Sequence, residues 1–376
     1  MVEPHPFNAV LWVPYLLLVL LALIVKPFPR RALLFLPIPP LTVYVLLSTT
    51  GEFLSDYLLG LSWLLVFWFS SDYILLTDVQ RTLRQVPASK APIENASLWR
   101  RTRWAISLLL SPRGVGWAHE PTTALPAHPA AGTSRVTFIA QRLWKTLLFF
   151  LVHDAANLHV QYNTMFRADG PGWRADGWAW RAVIVLSWAL STYSSMMMTS
   201  NILSIVGVAS GLSRPEDWPA FFGAPHEAYT IRKMWGFVST HGKYLAQDVL
   251  GLRSGSNASS YVQLFTAFAL SASIHYGAET MALRSWDGGA LVFFMLQPCM
   301  ITVEDFLLFA ARKAGMREGP MVRRLGYLWV WAWFTLTLPI WEEPLVRAGQ
   351  MEEGIQFSIL MGLWRGEWVL KQPFQI

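Results

Sequence analysis

Apolar residues run in long stretches along most of this chain, and the polar ones gather between them. Segment 11–25 carries no charge and segment 58–76 only Asp72, each close to the roughly 20 residues that take a helix across a bilayer. The pattern predicts nine helices, near 8–25, 32–49, 57–76, 143–162, 182–203, 260–281, 289–311, 325–341 and 355–370. Pro14, Pro37, Pro39, Pro40, Pro298 and Pro339 fall inside them; membrane helices accept proline where neighbours satisfy the freed carbonyls. The expected fold class is all-α, a polytopic transmembrane helical bundle. The apolar run 104–110 is about two turns long, too short to cross, and reads as interfacial. The first apolar run has no basic residue before it and meets Lys26, Arg30 and Arg31 after it. It reads as a retained first span.

Composition agrees: 53% of residues are hydrophobic and only 14% charged, against about 25% charged in soluble domains. The net charge of +6 would suit nucleic acid, but its distribution argues otherwise. The segments 26–31, 77–142, 213–259, 312–324 and 371 hold 23 of the 30 Lys and Arg, and the alternate segments 1–7, 50–56, 163–181, 282–288 and 342–354 hold 5. By the positive-inside rule this predicts a lumenal N-terminus and a cytosolic C-terminus, with the endoplasmic reticulum the expected membrane. The basicity is topological, so no nucleic-acid partner is expected. The domain reading is a single membrane domain over 1–376. It has a large basic cytosolic loop at 77–142 and a cytosolic loop with an amphipathic helix at 213–259. Asn95-Ala-Ser and Asn257-Ala-Ser are glycosylation sequons that stay unmodified if both loops are cytosolic. A single cysteine, Cys299, excludes an intramolecular disulfide and a cysteine-based metal cluster.

Ionisable residues inside spans are costly and mark function by default; here they are Asp72, His153, Asp154, His275, Glu279, Glu304 and Asp305. His275 follows about fifteen uncharged residues of span. It is either a core histidine bonded to a neighbouring helix or a general base with a reference pKa near 6.5. His241 falls on the stripe Ile231, Met234, Trp235, Val238, Leu245 and Val249, the inward face of an amphipathic helix, with Arg232 and Lys243 on the other face. Asp248 lies on the side of His241, placed to orient it; a satisfied interface histidine is the alternative. Ser111-Pro-Arg-Gly-Val-Gly-Trp117 is a compact loop suited to contacting phosphate through backbone N–H groups. His153 and Asn157 share a face, but His159 lies about 120° away from His153, so no metal is expected.

In order along the chain stand Arg113-Gly-Val-Gly-Trp117, Pro215-Glu-Asp-Trp-Pro-Ala-Phe-Phe-Gly223, Arg232-Lys-Met-Trp-Gly-Phe-Val-Ser-Thr-His241, Ala269-Leu-Ser-Ala-Ser-Ile-His275, and Gln297 through Glu304-Asp305. This order resembles the wax-synthase-like membrane-bound O-acyltransferases, whose fungal branch includes acetyltransferases of terpenoid and meroterpenoid pathways. Members usually read Trp-Gly-x-x-Trp-His-Gln and Ser-Gly-x-x-His; here His241 comes six residues after Trp235, Gly242 replaces the Gln, and the second motif is Ser271-Ala-Ser-Ile-His275. The resemblance implies transfer of an acyl group from acyl-CoA, acetyl-CoA above all, to the hydroxyl of a lipophilic alcohol that enters from the membrane lipids. It implies His275 as the base and His241 as the group polarising the thioester carbonyl. Arg113, Arg232, Lys243 and Trp235 would hold CoA. Asp154, Asn201, Glu304 and Asp305 are the candidate acceptor contacts, with structural pairing inside the bundle as the alternative. A long-chain wax ester synthase shares this chemistry. A CoA-independent terpene cyclase or isomerase would instead use Asp154, Glu279, Glu304 and Asp305 as acids.

Overall fold

The computed structural model describes residues 3–86, 92–120, 126–223, 225–234, 240–316, 319–351 and 357–369. Its helices in chain order begin with α1 (Trp12–Ile24), α2 (Ile38–Leu46), α3 (Phe53–Ser71), α4 (Val79–Thr82), α5 (Leu98–Leu109) and α6 (Arg135–Tyr162). They continue with α7 (Gly177–Ala209), α8 (Ile231–Met234), α9 (Thr240–Tyr244), α10 (Asn257–Leu283), α11 (Ala290–Lys313), α12 (Pro320–Arg347) and α13 (Ile359–Arg365). The described strands are β1 (His5–Pro6) and β2 (Ser48–Thr49), paired in parallel. The contacts divide the chain into two compact units, Met1–Pro121 with Gly236–Leu307, and Thr122–Trp235 with Leu308–Ile376.

In the first unit α3 and α10 run antiparallel, with Trp68 bonded to Ser273 and Asp56 ion-paired to Arg284. Their approach depends on small residues: a Cβ on Gly60 would lie 2.9 Å from the Ala278 Cα. Beside them Trp63 stacks on Tyr15 of α1 at 4.4 Å, both fully buried, while Leu16, Leu17 and Leu21 of α1 face outward. At one end β1 meets β2, Arg284 donates to the Ser48 carbonyl at 2.6 Å, and buried Asp56 accepts from the Thr49 and Thr50 hydroxyls at 2.8 Å each. At the other end Gln80 donates to the Leu23 and Val25 carbonyls (2.6 and 2.8 Å), Arg101 to Ile24 (2.7 Å) and Arg31 to Tyr73 (2.5 Å). The segments poor in Lys and Arg thus meet at one end of this unit and the rich ones at the other.

The second unit is built on the α6–α7 hairpin, tied by Arg142 to Asn201 at one level and His153 to Ser191 at another. Arg142 also donates to the Trp218 carbonyl at 2.5 Å, and Tyr327 donates to the His226 carbonyl; these contacts join basic-rich segments. Gln161 reaches the Met351 carbonyl at 3.4 Å among the basic-poor ones.

Among the described residues three helical stretches are long and apolar enough to cross a membrane: Phe53–Leu76, Gly177–Ala209 and Ala290–Lys313. Only 39%, 28% and 33% of their windows is buried, so most of each presents apolar side chains outward. Ala9–Ile24 and Arg31–Leu46 are shorter apolar helices. The expected ninth span is not one. Within 355–370 the helix is the seven-residue α13, about 10 Å long, and the chain folds back on itself. Phe357 bridges Val369, and the Ser358 N–H donates to the Trp368 carbonyl at 3.0 Å. The expected amphipathic helix over 231–249 is also different. After α9 the chain makes a π turn over Leu245–Val249, which adds a residue to the turn and rotates the faces. Leu245 and Val249 therefore turn outward, and Gly242 and Ala246 turn inward.

Candidate active site

His275 lies two-thirds of the way along α10, and two neighbouring helices hold its ring. Its Nδ1 is 3.0 Å from the Tyr57 hydroxyl on α3, and its plane stacks on buried Phe294 of α11 at 4.6 Å and 11°. Phe293 packs edge-on against Phe294 at 5.2 Å. The hydroxyl on one side and the aromatic face on the other fix both the tilt and the spin of the imidazole. Where Nδ1–H donates to the tyrosine oxygen, Nε2 is the basic nitrogen.

His241 is held at the far end of α3. Its Nε2 is 2.7 Å from the Ser71 Oγ, and its ring meets Trp68 edge to face at 5.4 Å. The single hydroxyl proton of Ser71 goes to the Trp68 carbonyl at 2.9 Å, so Nε2–H of His241 is the donor and Nδ1 its basic nitrogen. Burial pushes the His241 pKa down, and the Asp72 charge partly opposes that. Asp72 thus supplies the charge expected of Asp248, which is exposed. The Trp68 indole N–H donates to Ser273 at 2.9 Å, linking the His241 end of α3 to the helix of His275. Gly242 is required for this seat: a Cβ there would lie 2.9 Å from the Gln263 Cα on α10.

The two histidines contact α3 at Tyr57 and Ser71, fourteen residues apart, or about 21 Å along the axis. Even with a tyrosine reaching toward one and a serine toward the other, the rings are farther apart than a hydrogen bond. Arg113 is half-buried, and burial lowers its pKa against the opposing Glu120 charge. In its loop the Gly116 N–H is taken by the Glu120 carboxylate at 2.9 Å. One of the N–H groups expected to meet phosphate is thus bonded to the chain's own carboxylate. Lys243 on α9 is exposed in the first unit, and Arg232 on α8 is exposed in the second. Trp235 lies outside the described residues.

The expected acceptor contacts divide between the units. In the first, Glu304 is buried on α11, and Asp305 accepts from the Tyr261 hydroxyl at 3.0 Å. Tyr261 lies fourteen residues before His275 on α10, which places Asp305 well away from that imidazole. In the second, buried Asp154 accepts from the Leu360 N–H at 2.9 Å, and buried Asn201 accepts from Arg142 at 2.9 Å. These bonds seat α13 and the loop before α8, while Asp154 Oδ1 and Asn201 Nδ2 are buried with no hydrogen-bond partner among the described residues. His153 bonds Ser191 while His159 bonds Asn163, and no group able to hold a metal ion occurs among the described residues. The site residues that sequence reasoning passed over are Tyr57, Trp68, Ser71 and Phe294. The available signal was the spacing of 57, 68 and 71 on one face of a span, with a serine pair before Asp72.

Two kinds of comparison bear on this arrangement. Residues 218–296, which hold both histidines, match the model of the membrane bound O-acyl transferase family. The acetyltransferase ple2 of Rhodocybe pseudopiperita is 35% identical over 96% of this chain and 98% of its own length. The chain belongs to the membrane-bound O-acyltransferases. The acetyltransferase eriL of Hericium erinaceus is 36% identical over 90% of this acyltransferase and 91% of its own length. The acetyltransferase sirH of Leptosphaeria maculans is 27% identical over 67% and 66%. No solved structure matches. As a family member the protein is an integral membrane enzyme that moves an acyl group from an acyl-CoA donor to an alcohol.

Proposed function

We propose that this acyltransferase takes acetyl from acetyl-CoA and esterifies a hydroxyl of a lipophilic terpenoid or meroterpenoid alcohol, with His275 as the general base. The observation that carries the reading is the seat of His275, oriented by Tyr57 and Phe294 within helices whose outer faces are apolar. The names of ple2, eriL and sirH support acetyl as the group transferred.

In the reaction the acceptor oxygen attacks the thioester carbonyl as His275 removes its proton. The tetrahedral intermediate then collapses, the C–S bond breaks, and the CoA thiolate takes up a proton as it leaves. His241 acts on the donor side, at the Ser71 end of α3, and positions the thioester. No metal is needed. Of the carboxylates that a cyclase would use as acids, Glu279 accepts from the Ala290 N–H at 3.0 and 3.2 Å, Asp305 from the Tyr261 hydroxyl, and Asp154 through one oxygen from the Leu360 N–H.

The topology we propose has a lumenal N-terminus in the endoplasmic reticulum. The charge alternation supports it, together with the end-to-end sorting of basic-poor and basic-rich segments in each unit. The test of function is turnover of labelled acetyl-CoA by microsomes carrying wild type or His275→Ala, against terpenoid alcohols. A loss of about 10²–10⁴ in a normally expressed variant is expected. Turnover unchanged by the substitution would remove His275 from the mechanism.

A further inference from the structure

The helix α5 and the strand-like turn beside it enclose a cavity of about 370 Å³ that none of the assigned roles uses. Gln85, Trp99, Arg100, Arg103, Trp104 and Ser107 line it. The neighbouring charges are already committed: Arg101 donates to the Ile24 carbonyl, and Arg81 pairs with Glu94 at 2.8 Å. Arg100 and Arg103 are exposed and have no ion-pair partner among the described residues. They lie three apart, on one face of α5, with the Trp99 ring, 74% exposed, beside them. The floor is rigid: Trp104 is buried against Trp117 at 5.5 Å, and Gln85 bonds Ser107 at 2.7 Å and bridges the Trp117 backbone.

Two guanidinium groups fork onto phosphate oxygens. An indole face offers stacking for a purine, and a glutamine side chain offers both a donor and an acceptor to a base edge. The volume fits a mononucleotide and falls in the range of ordinary small-molecule sites. We infer that this cavity binds a phosphorylated adenosine, the 3′-phospho-ADP end of the CoA donor. The assignment rests on the acyl-CoA reading above and deepens it.

Position supports it as well. From Trp117 the contacts run to His119 at 5.9 Å. Arg101 of α5 bonds the Ile24 carbonyl, and Arg31 ties that same end of α1 to the Tyr73 carbonyl two residues past Ser71, so α5 and its cavity lie on the Ser71 side of α3. A donor anchored there sends its pantetheine arm past His241 toward His275, with its phosphates among the basic-rich segments. In the loop carrying Arg113, by contrast, the Gly116 N–H is already bonded to Glu120.

The experiment uses the full chain in nanodiscs of phosphatidylcholine and radiolabelled adenosine 3′,5′-bisphosphate in equilibrium dialysis. Arg100→Gln with Arg103→Gln is expected to weaken binding at least tenfold and to raise the KM for acetyl-CoA by a similar factor. Trp99→Ala is expected to weaken binding, and Trp99→Phe to retain it. Arg81→Gln, outside the cavity, is the control that leaves binding unchanged. Equal binding by wild type and the double variant overturns the inference. Nanodiscs containing phosphatidic acid separate the other source of phosphate: arginine-dependent binding of that lipid, without nucleotide binding, assigns the cavity to a headgroup and also overturns it. Arginine-dependent nucleotide binding, with no acyl transfer to any alcohol, would uphold the site while refuting the proposed reaction.

Discussion

Replacing Tyr57 by phenylalanine tests the geometry of the base with the smallest change available. The hydroxyl is removed while the ring remains to pack against α10, so Nδ1 of His275 loses a 3.0 Å partner and little else moves. Leaving a buried polar atom unpaired costs about 1–3 kcal/mol. If that loss is felt only in the oriented, proton-accepting state, it lowers turnover about five- to 150-fold, at tenfold per 1.36 kcal/mol. Phe294 still holds the ring plane, so the effect should lie toward the lower part of that range. It should be smaller than that of His275→Ala, about 10²–10⁴. The assay is initial-rate acetyl transfer in microsomes across acetyl-CoA concentrations, separating kcat from KM. The loss is expected in kcat, because Tyr57 sits at the opposite end of α3 from Ser71 and the donor. A kcat within twofold of wild type would refute the claim that the Tyr57 bond orients the base. A loss as deep as that of His275→Ala would mean that Tyr57 itself transfers the proton.

Other outcomes follow from the same contacts. Gly60→Val forces a side chain against the Ala278 backbone, 2.9 Å from where its Cβ would stand; overpacking of this kind costs about 1–3 kcal/mol, read as a lower melting temperature in detergent together with lost turnover. Asp56→Asn breaks the ion pair with Arg284, and because Asp56 is the more buried partner the loss should approach about 3 kcal/mol, measured by thermal unfolding against Arg284→Met. His241 has a lowered pKa in the fold, so its neutral form is favoured there: stability is full above its unfolded pKa of about 6.5 and falls as the pH drops from there toward its folded pKa. His241→Gln should flatten that part of the melting-temperature profile, and an unchanged acid limb would contradict the assignment. Asn95 and Asn257 should show no glycosidase-sensitive gel shift when the protein is made in microsomes, whereas a shift at either would invert the topology of its loop.

The long apolar runs made α3, α7 and α11 readable from hydropathy alone, since their outward faces need only be apolar. The histidines were readable because an imidazole in such surroundings is rare enough to stand out. Their partners were harder to find. Tyr57 and Phe294 look like ordinary span residues until α3, α10 and α11 converge, and no spacing rule links position 57 to 275. The stripe through His241 failed for a local reason: a π turn shifts the phase at Leu245, and helical periodicity assumes that no such shift occurs. At 355–370 the hydropathy was adequate, but the chain reverses through Gly366 in a left-handed conformation (φ 76°), a backbone event that window averages do not register. The carboxylates were legible as buried and unusual, yet a residue seating a helix start and a residue binding substrate carry the same signature in sequence.

The last carbonyls of α1 are closed first by Arg31, just past the helix, and then by groups much later in the chain, Gln80 and Arg101. A helix end whose carbonyls are left open inside a packed unit is costly. During synthesis, therefore, the first hairpin remains incomplete until the ribosome has made α5. Until then the nascent chain exposes a polar helix end that insertion chaperones and degradation machinery can recognise. Maturation of the enzyme would then be timed by the arrival of Arg101, and a product truncated before that point should be cleared from the membrane even though its first three helices are intact.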